Sequence, residues 1–250
     1  MFWKLLEIIS RIINARRIRH VNRVGEAATL ACTDPEAALK KLAEMAPRLH
    51  PDVKSMHALT WGRILDGIGR TEEAEGKVIL AAKRDPSNMH AHLELAKMAG
   101  RKFQFKNAKE RLLRLAEEPD SDVVEEAKSL LLRLEDIRTG KEAKRYAEIA
   151  GRAAAIPMGR NGEKPGLPAD LAVVDAWVAT SPQTAIDHLD DLAMLFGQTA
   201  VIKGGKWKIS LSARHSLVEM PDGTMLCPFK IISNRFTDSS FSLLQTLSSV

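Results

Sequence analysis

His90 and His92 are the closest pair of histidines in the chain, and they stand two positions apart. On a helix that spacing turns the two rings about 200° from one another, so they do not grip one ion together. Asp187, Asp190 and Asp191 gather beside His188, which is the composition of an acid/base centre. The same carboxylates at helical spacing also make an ordinary solvated face. Cys32 and Cys227 are the two thiols of the chain, too few and too far apart for a disulfide framework or a zinc site. Cys227, followed by Pro228, has no helix N-terminus or histidine that the sequence sets beside it, and reads as structural. The stretch GRNGEKPG lacks the preceding strand and the Lys-Ser ending of a phosphate-binding loop. No catalytic residue, metal or cofactor is assigned. The route left to catalysis is a C-terminal pocket joining His188, His215 or Cys227 to a carboxylate.

The informative elements lie elsewhere. Residues 55–88, SMHALTWGRILDGIGRTEEAEGKVILAAKRDPSN, place Ala58, Trp61, Gly62 and Leu65 on one face of a helix. Gly69 then opens a turn, Ala74, Val78 and Ala81 face a second helix, and Pro86 stops it. Gly62 and Ala74 lack bulk, which lets two backbones approach, while Trp61 and Leu65 fill the space beside them. Gly69 supplies a positive φ for the turn. Thr71 is expected to cap the second helix, with Glu72 and Glu73 in its first turn.

This segment resembles the tetratricopeptide repeat. A repeat of that kind does not bury its apolar face alone, so neighbours are expected at about 34 residues. Downstream, Leu95, Ala96 and Ala99 take the first-helix positions and Ala108, Leu112 and Leu115 the second, with Pro119 near the stop. Upstream, Asp34 and Pro35 read as N-cap and first helical residue, Ala38, Leu42 and Met45 follow, and a partner helix spans about 18–31. Ala127, Leu130, Leu131 and Leu134, then Ala143, Ala147 and Ala150, suggest a further or capping hairpin. The resemblance covers residues 19–151 and implies a helical solenoid.

The chain is 45% hydrophobic and 28% charged over 250 residues, ordinary for a soluble globular protein and long enough for two domains. Its formal charge of +5 is local. Residues 1–24 hold Lys4, Arg11, Arg16, Arg17, Arg19 and Arg23 against Glu7 alone, which is the whole excess. A neutral body with one basic end argues against a nucleic-acid binder. Within 1–18, Phe2, Leu5, Leu6, Ile9, Ile12 and Ile13 share one side of a helix and Lys4, Glu7, Arg11 and Asn14 the other. Such a basic amphipathic helix suits a cap on the end of a solenoid. It would otherwise dock on a partner or touch an anionic membrane through Phe2, Trp3, Arg11, Arg16 and Arg17. It is too short and too charged to span a membrane, and no small-residue cleavage site follows it. The expected location is cytoplasmic, with peripheral contact at the inner membrane as the variant.

Residues 152–168, rich in glycine and proline, read as a linker. From 169 to 250 the expectation is a small α+β domain with an antiparallel sheet. Helices carry Leu171, Val174 and Trp177, then Ile186, Leu189, Leu192, Ala193 and Phe196, with Ser181 and Pro182 as a start. Trp207, Ile209 and Leu211 alternate as a strand. A second strand covers 216–220, a Pro221-Asp222-Gly223 turn leads to 224–226, and 229–232 is a further strand. The order is similar to a group of small bacterial α+β domains, some found near contact-dependent toxins.

In the repeat family the first helices line a concave groove. Counting positions places Met56, Leu59 and Arg63 there from one repeat and His90, Leu93, Lys97 and Arg101 from the next. Cations interleaved with apolar groups suit an acidic peptide or a terminal carboxylate. The family's carboxylate clamp adds an asparagine, for which this groove has no match. The expected function is a noncatalytic protein–protein adaptor that takes a protein or acidic peptide and no small-molecule substrate. The other readings are an immunity or defence-associated binding protein and an enzyme with its site in the C-terminal domain.

Overall fold

Apolar spacing and backbone punctuation set the helices of the first half. The computed structural model describes residues 2–118, 122–153, 167–180, 182–238 and 242–248, with side chains throughout except at 2–13, 152–153, 167–170, 184 and 244. Helix α1 (Phe2–Leu30) runs through positions 18 and 19 without a break. The basic segment and the first helix of the upstream hairpin are therefore one element, because no proline interrupts them. Asp34 caps α2 (Pro35–Met45) by accepting the Ala37 N–H at 3.0 Å. Pro35 fits the first helical position, where its missing N–H costs nothing.

Helices α3 (Lys54–Gly67) and α4 (Thr71–Arg84) form the expected hairpin. The turn is made at Gly69, whose φ is +82°. Thr71 does not cap α4. The N-cap is Arg70 and carries no side-chain cap bond. Its guanidinium instead donates to both oxygens of Glu73 in the first turn, each at 2.7 Å. The next hairpin, α5 (Met89–Arg101) and α6 (Phe105–Ala116), repeats this turn. Phe103, 34 positions after Gly69, takes a φ of +60°. Arg70 N–H to Leu65 O and Gln104 N–H to Ala99 O, both 2.9 Å, are the same bond one period on. Helices α7 (Asp122–Arg138) and α8 (Lys141–Ala153) follow, joined through Gly140 at φ +76°.

The chain divides into two units, one of residues 1–98 and 110–127, the other of 99–109 and 128–250. The core of the first unit joins Val24 and Ala27 of α1, Leu42 of α2, Ala58 and Leu65 of α3 and Ala74, Val78 and Ala81 of α4, all essentially inaccessible. Burying one such leucine or valine contributes roughly 1.5–3 kcal/mol. Two polar side chains are built into this core. His57 donates Nε2–H to the Leu42 carbonyl at 2.9 Å, and Ser55 donates to the Ala81 carbonyl at 2.9 Å while accepting from Asn88.

The second unit contains α9 (Leu167–Thr180), α10 (Pro182–Ile186), α11 (Leu189–Ile202), the strands β1 (Lys206–Lys208), β2 (Leu217–Glu219) and β3 (Met225–Leu226), and the helices α12 (Pro228–Thr237) and α13 (Leu243–Ser248). The strands form an antiparallel sheet in the order β1-β2-β3, with Trp207 opposite Val218 and Val218 opposite Leu226. Gly223 closes the β2–β3 turn at φ +87°. The first strand is shorter than its alternation predicts. Ile209 and Leu211 are buried, but Ser210 Oγ and the Leu211 N–H turn to the Gly100 carbonyl, at 3.3 and 3.5 Å, in place of a sheet partner.

Residues 229–232 are helix and not strand. Pro228 is the first residue of α12, and Pro228, Ile232 and Arg235 are buried at i, i+4 and i+7, one face of a helix. Arg235 donates Nε–H to Asp175 Oδ1 at 2.8 Å, and Asp175 also accepts the Leu243 N–H, which ties α9, α12 and α13 together. Helix α8, expected in the repeat region, packs on α11 in this unit. Tyr146 meets Trp207 edge-on at 5.1 Å and joins Ala150, Met194 and Ile209 in one buried cluster. The expected linker is bounded by helix on both sides, since α8 reaches Ala153 and α9 begins at Leu167. Ser181 lies outside the described residues.

Candidate functional site

Of the counted groove residues, Arg63 and Lys97 share an acid. Arg63 Nε and Nη2 donate to Glu94 Oε1 at 3.1 and 3.0 Å. Lys97 Nζ lies 3.5 Å from the same oxygen and 2.7 Å from Glu126 Oε1. Glu94 is almost wholly buried, so the two cations compensate a carboxylate that would otherwise be stranded. Two cations face two carboxylates, and the face is a neutral ladder across α3, α5 and α7 where the sequence predicts a bare cationic one. Glu94 was missed because a charged residue between Leu93 and Leu95 does not read as a buried position, and Glu126 because it lies on a third helix, α7.

Two other groove residues belong to the interior. Leu59 is 6% exposed and Leu93 1%. Met56 is half-buried against the core, and His90 is exposed. Arg101 falls in the second unit.

The concavity on the first helices lies one step round α3 from the counted face. It is a groove of about 330 Å³ lined by Ala28 of α1, Ala31, Cys32 and Pro35 beyond it, and Thr60, Arg63, Ile64, Gly67 and Ile68 on and after α3. Positions 60, 63, 64 and 67 recur at helical spacing, and the small residues Ala28, Ala31 and Gly67 keep the floor open. Arg63 is shared by the counted face and the groove. Its side chain is 48% exposed, so its guanidinium stands at the rim while holding Glu94.

On the basic segment, the side chains of Phe2, Trp3 and Arg11 lie outside the described residues. Arg16 Nη2 donates to the Arg48 carbonyl at 3.4 Å, and Arg17 is 3.8 Å from Asp52. His20 Nδ1 accepts the His50 N–H at 3.0 Å, which fixes it as the unprotonated nitrogen. Burial, with Arg16 and Arg23 beside it, holds His20 below its ordinary value. No helix among the described residues is long and apolar enough to cross a membrane.

The C-terminal candidates are held by separate partners. His188 Nδ1 is 3.7 Å from Asp191 and its ring rests against Trp177. His215 Nδ1 meets Ser212 Oγ at 3.1 Å. Cys227 does precede a helix, as the N-cap of α12, and its thiol donates to the Arg214 carbonyl at 3.7 Å. The sequence misplaced it by reading the following residues as a strand. Asp190 pairs loosely with Arg214 at 3.5 Å. His92 donates Nε2–H to the Pro86 carbonyl at 3.0 Å. Among the described residues no group of three or more His, Cys, Asp or Glu side chains is placed to hold a metal ion.

In comparisons with protein-family models, with curated proteins and with solved structures, nothing matches this chain.

Proposed function

We propose that this protein is a noncatalytic interaction adaptor whose tetratricopeptide-like hairpins receive a segment of a protein partner. The observation that carries this reading is the groove between α1 and α3, apolar along Ala28, Ala31, Ile64 and Ile68 and edged by the Arg63 guanidinium. An apolar segment bearing one carboxylate fits that surface. Its side chains cover the floor, and its acid shares Arg63 with Glu94 in a charge-assisted bond. The 34-residue recurrence of the hairpin turn supports the repeat reading.

A groove-filling substitution tests the proposal. Gly67 lines the groove, and a Cβ added there meets nothing within 4 Å, so the backbone has room for a side chain at this position and Gly67→Trp adds bulk in the concavity. Affinity capture from native cell lysate should recover a partner with the intact chain and with Gly67→Ala, and lose it with Gly67→Trp. Equal recovery by all three proteins places the interaction on another surface.

A further inference from the structure

A second concavity in the first unit has a different chemistry. This cleft of about 410 Å³ is lined by Pro86 and Ser87 of the α4–α5 turn, Met89 and His92 of the first turns of α5, and Arg111, Arg114, Leu115 and Glu118 on and after α6. Arg111 and Arg114 lie three positions apart on one face of α6, so their side chains project side by side. Among the described residues neither makes a hydrogen bond or an ion pair. Arg63, Arg70, Arg133, Arg138 and Arg235, by contrast, each hold a carboxylate. Two uncommitted guanidiniums sharing one cleft repel each other, and a bound anion removes that repulsion.

We infer that the cleft of Arg111 and Arg114 is a binding site for a phosphate monoester. A carboxylate offers one edge, which serves one guanidinium fork. A phosphate monoester offers three acceptor oxygens and close to two charges, enough for both forks at once. The positive end of the α5 dipole borders the same cleft. Ser87 Oγ donates to Asp85 Oδ1 at 2.6 Å and keeps its lone pairs for a donor on the ligand. Glu118 at the rim disfavours a second anionic group and accepts from a hydroxyl or amide N–H beside the phosphate. Met89, Pro86 and Leu115 supply an apolar wall for the rest of the ligand. This site is separate from the groove that carries the proposed adaptor role, and the two fail independently.

Isothermal titration of the full chain tests it, with three probes: inorganic phosphate, a capped Ala-phosphoserine-Ala tripeptide with its unphosphorylated form as control, and glycerol 3-phosphate. The intact chain should bind a phosphorylated probe in a saturable 1:1 fashion. Arg111→Gln with Arg114→Gln should weaken that at least tenfold, and Lys106→Gln, on the same helix outside the cleft, should leave it within twofold. Glu118→Gln should tighten it, which gives a reading of opposite sign that does not depend on the double variant folding. A tighter tripeptide assigns the site to a phosphorylated segment of a protein, and a tighter glycerol 3-phosphate to a free metabolite. Absence of binding to every phosphorylated probe overturns the site. Equal weakening by Lys106→Gln, or no change in Glu118→Gln, overturns it as well.

Discussion

Gly62 on α3 lies against Val78 on α4 with no room for a methyl group between them. A Cβ built on the glycine would stand 2.7 Å from Val78 Cγ2 and 3.1 Å from the Ala74 carbonyl oxygen. The approach of these two backbones is what lets Leu65 and Ala81 close the core beside them. It gives the hairpin its shape and, through α3, sets one wall of the groove.

Two alanine substitutions in this hairpin should therefore have opposite signs. Gly62→Ala forces Val78 to move or the helices apart and should lower stability by about 1–3 kcal/mol. Gly76, inside α4 with nothing within 4 Å of an added Cβ, should gain about 0.5–1 kcal/mol as alanine. Urea unfolding of the full chain reads both. A neutral Gly62→Ala would mean that the two helices do not pack at this distance.

The Arg63–Glu94 pair should show a favourable coupling of about 1 kcal/mol in a double-mutant cycle. Glu94 is nearly buried while Arg63 is half-exposed, so solvent screens part of the attraction. Arg63→Ala alone should cost more than Glu94→Ala alone, since it leaves the nearly buried Glu94 carboxylate short of a cation, whereas loss of Glu94 leaves Arg63 half-exposed to water and Lys97 still paired with Glu126. Additive effects in the cycle would show that the contact contributes nothing to stability.

The first unit should lose stability on mild acidification. Burial holds the His57 imidazole below the ordinary histidine value of 6.5, partly offset by its bond to the Leu42 carbonyl, with Arg84 and Lys77 adding to the depression. His20 is depressed in the same direction. At neutral pH both folded and unfolded forms carry these rings uncharged. Below about 6.5 the unfolded chain takes up protons first, so stability falls until the depressed folded values are reached. Urea midpoints should drop between pH 7 and pH 5, and the drop should shrink in His57→Gln, which retains a donor for Leu42. A midpoint independent of pH across that range would contradict the buried neutral imidazole.

Much of the helical half was legible because its signals are local. Asp34-Pro35, Gly62 and Gly69 each have a near-neighbour cause, and the structure places them where the pattern does. Phe103 was not legible, since a phenylalanine gives no sign of a positive φ. The turn there matches the one at Gly69, 34 positions earlier, against the phenylalanine's own side-chain preference. Leu59, counted to a groove, is buried, and the concavity beside it opens at Thr60, because the two are adjacent and helical counting does not decide which of them faces the core. The mainly helical class with a small antiparallel sheet was also readable, yet its details were not. Pro228 begins a helix or a strand with equal ease, and Ile231 and Ile232 carry strand propensity that packing overrides. Tyr146 gave no hint of Trp207, since a contact across sixty positions leaves no periodic trace.

Photocrosslinking tests the adaptor account most directly. A photoreactive residue at Thr60, inside the groove, is compared with one at Ile79, which is exposed on α4. The account predicts a discrete partner adduct from Thr60 in native lysate, absent from Ile79 and abolished by Gly67→Trp. Adducts of equal yield from both positions, or an adduct from Thr60 that survives the groove-filling tryptophan, would contradict it.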